Sequence, residues 1–259
     1  MTGSRWLLPL AFALAATAIL SFRPVATPGP FLRDFEAYWS AGSTWNAGGN
    51  PYGRAIWNAE RTVPGVDASR DEILPFVAPP PTIALWSLLA RLPYPVAAGL
   101  WSALLVIAAL ALVIVVVRAS AAPSTYALLC ACVLTVGFGP LTSDLALGQV
   151  ALLAFLAATL ASLPLPLFGR TAASFVAFAQ PNVAFGLVAL LGRNRATIAI
   201  AVGALAAYAF GALFFGPRWP IDYAMQLAAH AEAERFGAIQ LTPAAIAYGA
   251  GFSLAAAAA

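Results

Sequence analysis

Charge in this chain is concentrated in one stretch, and that constrains its fold more than any other feature. Of the 23 Asp, Glu, Lys and Arg residues, 11 lie between Arg23 and Glu72. Elsewhere run apolar segments of the length needed to cross a hydrocarbon layer, about 20 residues at 1.5 Å each. Only 9% of the chain is charged and 62% is hydrophobic, against about 25% charged in an average soluble domain. The pattern predicts an all-α, polytopic transmembrane helix bundle of about eight spans. Residues 1–259 then form a single membrane domain, with 23–75 as a polar loop between the first and second spans.

The expected spans are Trp6–Phe22, Phe76–Ala90, Val96–Val117, Tyr126–Leu141, Ala146–Leu167, Ala172–Leu191, Ala196–Phe215 and Pro243 to the C-terminus. Arg5 before an apolar core also fits a signal peptide, but no clear Ala-x-Ala site precedes Arg23, which favours an uncleaved helix. In the second segment, Pro79-Pro80-Pro81 can open a helix but not continue one.

All 13 basic residues are arginine, and they are scattered. No basic patch offers itself to a nucleic acid, so none is expected as a partner. Cys130 and Cys132 lie in an apolar run and read as helix filling. Arginines in short loops prefer the cytoplasm. With eight crossings and the N-terminus inside, Arg5, Arg91, Arg193 and Arg195 are cytoplasmic, while Arg118 and Arg170 are outside. If Phe76–Ala90 dips in and returns, Arg118 and Arg170 become cytoplasmic and the Arg193 pair moves outside. Both arrangements put 23–75 on the extracytoplasmic side.

Within that loop, Asp34 to Ala47 has helical spacing, with Phe35, Tyr38, Trp39, Gly42 and Trp45 on one side, and ends at Gly48-Gly49-Asn50-Pro51. Such a helix is expected in the interface plane, its aromatic face in the headgroup layer. Asp34 is placed to cap its first turn, or to act as a catalytic base. Glu36, about 200° further round, is expected to face water or an arginine.

The order Asp34-x-x-x-Tyr38-Trp39-x-Ala41-Gly42, Gly49-Asn50-Pro51-Tyr52 and Pro79-Pro80-Pro81 resembles the GT-C superfamily of membrane glycosyltransferases. It is most similar to family 87, the polyprenol-phosphate-mannose-dependent mannosyltransferases. The likeness continues through Leu92-Pro93-Tyr94, Trp101, Gly148-Gln149, Gln180-Pro181, Gly192-Arg193-Asn194-Arg195, Gly216-Pro217-Arg218-Trp219 and Asp222-Tyr223. The resemblance implies a hexose, best known as mannose, moving from a polyprenyl-phosphate-linked donor to a glycolipid or glycan acceptor. It also implies an active site on the extracytoplasmic side of a bacterial plasma membrane, with Asp34 as general base and membrane lipid as partner. No nucleotide-binding loop or metal-ligand cluster is visible, so no cofactor and no metal are expected.

Tyr38, Tyr52, Gln149, Gln180 and His230 are the candidate substrate-binding residues. Arg54, Arg61, Arg70 and Arg218 could also meet the phosphate leaving group. Asp144 reads as an interface residue. Gln180-Pro181 stands where relatives carry Lys-Pro, which removes a cation from that point. The chain is also shorter than usual for the family, which leaves a truncated or non-catalytic membrane subunit as an alternative. A small-solute transporter is a further one, although its expected signature, ionisable groups inside the spans, is missing.

Overall fold

The computed structural model describes residues 32–64, 66, 74–119, 139–192 and 194–233. The expected spans Trp6–Phe22 and Pro243 onward, most of Tyr126–Leu141, and Cys130, Cys132 and Arg70 lie outside the described residues. Every regular element among the described residues is helical.

Helix α1 (Arg33–Asn46) follows Leu32, whose backbone is left-handed (φ 68°) and whose side chain is buried. It stops where Gly48 takes φ 78° and the Gly49 N–H returns to the Thr44 carbonyl at 2.9 Å, a conformation glycine adopts without strain. The expected aromatic face is present, but it packs on protein rather than in a headgroup layer. Gly42 brings α1 so close to α3 (Ile83–Leu89) that a Cβ there would stand 2.1 Å from the Trp86 carbonyl oxygen. Phe35 stacks on Trp101 and Tyr38 on Trp86, with centroids 5.8 and 4.5 Å apart. The opposite face is also covered: Glu36 is 0% exposed, and Ser40 and Thr44 below it are buried too. Glu36 thus faces the interior, which removes water, one of its two expected surroundings.

After the short α2 (Ile56–Glu60), Pro80 and Pro81 open a 3-10 turn (Pro80–Thr82) that runs into α3. The prolines begin the helix, as their missing N–H groups dictate. The seven residues of α3 extend about 10 Å, far less than a bilayer core, so Phe76–Ala90 is not the expected span. The chain instead returns to α1, where the Trp39 indole N–H donates to the Leu92 carbonyl at 3.2 Å.

Two described helices are long and apolar enough to cross a membrane, over Tyr94–Arg118 and Arg195–Phe215. They belong to α4 (Tyr94–Ala119) and α9 (Asn194–Phe215). On α4, Ala97, Trp101, Leu105 and Ala108 are buried while Leu100 and Ile107 stay exposed; on α9, Leu205 and Leu213 are 65% and 79% exposed. A helix apolar on every side, with its outward side uncovered, suits lipid as its solvent.

Between these come α5 (Gly139–Leu147), α6 (Ala151–Ser162) and α7 (Leu167–Ala177), followed by α8 (Pro181–Ala184) and a 3-10 turn (Phe185–Leu190). Ala172–Leu191, expected as one span, is broken where Gln180 turns extended before Pro181, because proline disfavours a helical residue before it. α7 packs on α9 through small residues; a Cβ on Gly203 would reach 2.7 Å from that of Ser174. Such contacts let helices approach closely in lipid. α10 (Trp219–Ala233) closes the described chain.

The ends of these helices are ordered about α1. Tyr94, the first residue of α4, meets Phe35 and Trp39, whereas Phe214 and Phe215, the last of α9, meet Trp45. α4 therefore leaves α1 and α9 arrives there, so Arg118 and Arg195 stand at the far ends. Arg170 belongs with them, its Nε donating to the Leu163 carbonyl beyond the far end of α6. The eight-crossing expectation put Arg118 and Arg170 on the same side as the loop. They lie opposite it because Phe76–Ala90 returns. Arg195 lies opposite it too, where the returning arrangement expected it outside, because the chain is broken again at Gln180 before α9.

Candidate active site

The first turn of α1 meets the turn between α5 and α6. Gly148 has φ 75° and sits against Leu32 and Phe35, where a Cβ would lie 2.9 Å from that of Phe35. Its carbonyl accepts the Trp101 indole N–H at 2.8 Å, and the N–H groups of Gly148 and Gln149 both return to the Asp144 carbonyl at 2.9 Å. So held, the Gln149 side chain donates from Nε2 to Asp34 Oδ2 at 2.6 Å. Two residues singled out separately in the sequence thus form one pair.

Asp34 does not cap α1 as expected. Leu32 is the capping residue and makes no side-chain bond; Asp34 is the second residue of the helix, and its carboxylate turns toward Gln149. Tyr38, one turn on, is buried. Burial, then the charge of Asp34, push its phenol pKa far up, against the opposing hydrogen bond from the Val150 backbone. The phenol keeps its proton and can act as a neutral donor.

Asp144 completes the group. Its carboxyl is pushed up to about 6 by burial and, second, by the charge of Asp34. The sequence alone places it at an interface. A signal was present in its position just before Gly148-Gln149, but only the turn geometry carries it toward Asp34.

The other expected residues lie elsewhere. Tyr52 donates its hydroxyl to the Ala78 carbonyl at 2.7 Å and lines a separate pocket of about 340 Å³ with Asn50, Trp219, Asp222, Tyr223 and Gln226. Gln180 begins α8. His230 lies in the last turn of α10 and is not part of the pocket wall. Arg54 sits over the Trp57 ring at 5.5 Å, and Arg61 and Arg218 are exposed.

What the Asp34 group can do follows from its parts. A carboxylate oriented by an amide donor can take a proton from a hydroxyl within hydrogen-bond reach. The neutral phenol beside it can hold a polar substrate group. Comparison with known families matches residues 76–258 to glycosyltransferase family 87. The matched residues include Gln149, Asp144 and the pocket side chains of α10, while Asp34 and Tyr38 precede them. No curated protein and no solved structure matches the chain. The match spans well over half of the sequence, and the chain belongs to glycosyltransferase family 87.

Proposed function

We propose that this glycosyltransferase moves a hexose, mannose first, from a polyprenyl-phosphate-linked donor to a glycolipid or glycan acceptor, with Asp34 as general base. The observation that carries this reading is the 2.6 Å hydrogen bond from Gln149 to Asp34. It ties a residue of the matched family segment to the carboxylate of the preceding helix and sets the rotation of that carboxylate.

In the proposed step the acceptor oxygen forms a bond to the anomeric carbon as the bond from that carbon to the phosphate oxygen breaks. The hydroxyl proton passes to Asp34, and polyprenyl phosphate departs with the electron pair. A general base contributes about 10² to 10⁴-fold. Gln149 acts as a positioning residue. Asp144 supplies a second negative charge beside the base when ionised.

The site faces the extracytoplasmic side of a bacterial plasma membrane in this reading. Arg118, Arg170 and Arg195 gather at the helix ends away from α1, and arginines in short loops favour the cytoplasm.

The test is transfer of radiolabelled mannose from polyprenyl-phosphate-mannose into membrane glycolipid or glycan, with wild type and Asp34→Asn at matched expression. The expected result is transfer by the wild type and a loss of about 10² to 10⁴-fold in the variant. Equal transfer by both removes Asp34 as base; none by either removes this donor.

A further inference from the structure

We propose that the pocket between the start of α10 and residues Asn50 to Tyr52 is a subsite for a hexopyranose ring of one of the two substrates. The proposal rests on the glycosyltransferase reading above for the reaction it serves.

α10 presents Trp219, Asp222, Tyr223 and Gln226 at spacings of three and four residues, which places them on one helix face. Asn50, Tyr52, Pro80 and Phe215 complete the wall around about 340 Å³, within the range of small-ligand sites. The ring residues are tied down by their polar ends. Tyr52 donates to the Ala78 carbonyl and Tyr223 to the Val77 carbonyl, each at 2.7 Å, and the Trp219 indole donates to the Tyr208 carbonyl at 2.9 Å. The same three rings contribute apolar surface to the pocket wall, while Trp219 also stacks on Tyr208 and Tyr52 also meets Phe76 and Phe215. Gly211 makes room for the indole, since a Cβ there would stand 2.7 Å from it.

The polar groups on the wall are of a different kind. Neither the Asp222 carboxylate nor the Gln226 amide makes a side-chain hydrogen bond to any described residue. Asn50 uses its Oδ1 to accept the Tyr52 backbone N–H at 3.0 Å, which turns its amide. A wall of aromatic faces edged by a carboxylate and planar amides matches a sugar, which has an apolar C–H face and a rim of hydroxyls. A lipid chain would strip water from Asp222 without replacing it. A phosphate would meet that same negative charge.

The subsite belongs to the same neighbourhood as the base. Tyr52 and Tyr38 both pack on Phe76, with centroids 5.0 and 6.3 Å away. A ring held against Tyr52 and Tyr223 is thus a candidate for the part of a substrate that is bound but does not react.

The experiment uses the full chain, purified in a detergent without a sugar headgroup, and methyl α-mannopyranoside as probe in saturation-transfer NMR. Asp222→Ala and Gln226→Leu, at positions where no internal bond is lost, should each weaken binding about tenfold or more, with melting temperatures and helicity unchanged. Asp34→Asn should bind as the wild type does. No saturation transfer to the glycoside in the wild type, or equal affinity in the two pocket variants, overturns the proposal. So does a loss confined to Asp34→Asn. In the transfer assay, a raised KM for acceptor alone in Asp222→Ala assigns the ring to the acceptor, and a raised KM for donor alone assigns it to the donor. If transfer depends on Asp34 while glycoside binding ignores Asp222, the subsite fails and the enzyme reading stands. Binding that depends on Asp222 in a protein without transfer does the reverse.

Discussion

The indole N–H of Trp101 donates to the carbonyl of Gly148 at 2.8 Å, across 47 positions of sequence. This bond pins the turn that carries Gln149 to α4. In Trp101→Phe the aromatic stacking on Phe35 can persist, but a buried carbonyl loses its partner, at a cost of about 1–3 kcal/mol. The expected outcome is a lower melting temperature in detergent together with reduced kcat, because the turn that aims Gln149 loosens. Unchanged melting and unchanged transfer would show that the turn holds without this bond.

Gln149→Glu and Gln149→Leu separate geometry from charge. Leucine removes the donor to Asp34 and leaves the carboxylate free to rotate; glutamate replaces that donor with a like charge. Both should lower kcat with little change in donor KM, the glutamate form more severely at neutral pH and with partial recovery as pH falls and one carboxyl of the new pair protonates. A steady-state comparison at two pH values checks this, and a Glu variant as active as wild type would contradict it.

Asp144 gives a pH dependence whose sign can be stated in advance. Its folded-state value is raised to about 6 from an ordinary 3.8, by burial and then by Asp34. The folded protein therefore holds this proton more tightly than the unfolded chain, and stability falls as pH rises through the window between those values. Below it both states are protonated and the penalty vanishes. Asp144→Asn should melt higher than wild type above pH 6 and show a flatter melting profile from pH 4 to 6, measured by thermal unfolding in detergent.

Glycines at two positions should respond in opposite ways. Gly42→Ala forces a methyl group to 2.1 Å from the Trp86 carbonyl oxygen, which is backbone and cannot rotate away. α1 and α3 must separate, and loss of folded protein or of several degrees in melting temperature is expected. Gly99 lies in α4 with open space where its Cβ would be, so Gly99→Ala should be neutral or stabilising by about 0.5–1 kcal/mol. Equal effects in expression and melting assays would contradict this packing.

Several elements were legible in the residues themselves. Run length and composition marked α4 and α9, the three prolines marked a helix start, and Gly48-Gly49 marked the end of α1. Periodicity also grouped Phe35, Tyr38, Trp39 and Gly42 correctly, but it says which residues share a face and not what covers that face. That is why the aromatic side of α1 was expected in lipid headgroups, and why the burial of Glu36, Ser40 and Thr44 was missed. The return of Phe76–Ala90 to α1 rests on the two hydrogen bonds between Asn46 and Ser87, the stacking of Tyr38 on Trp86 and, just beyond, the Trp39 indole bond to Leu92, which hydropathy cannot register. Asp34 and Gln149 could each be picked out for chemistry, yet their pairing is set by a left-handed glycine 114 positions from Asp34. Asp144 lies 110 positions from Asp34, and nothing in the run Thr142-Ser143-Asp144-Leu145 announces that the fold brings the two charges within reach of each other.

Phe76 packs against both Tyr38 and Tyr52, and its side chain is almost fully enclosed. The carboxylate end of the protein and the α10 pocket thus lean on a single shared partition. Rigid interiors transmit displacement rather than absorb it, so a change that tilts this ring reaches both compartments at once. A substitution at Phe76 therefore disturbs the packing of Tyr38 and of Tyr52 together, although the two tyrosines stand in different parts of the chain.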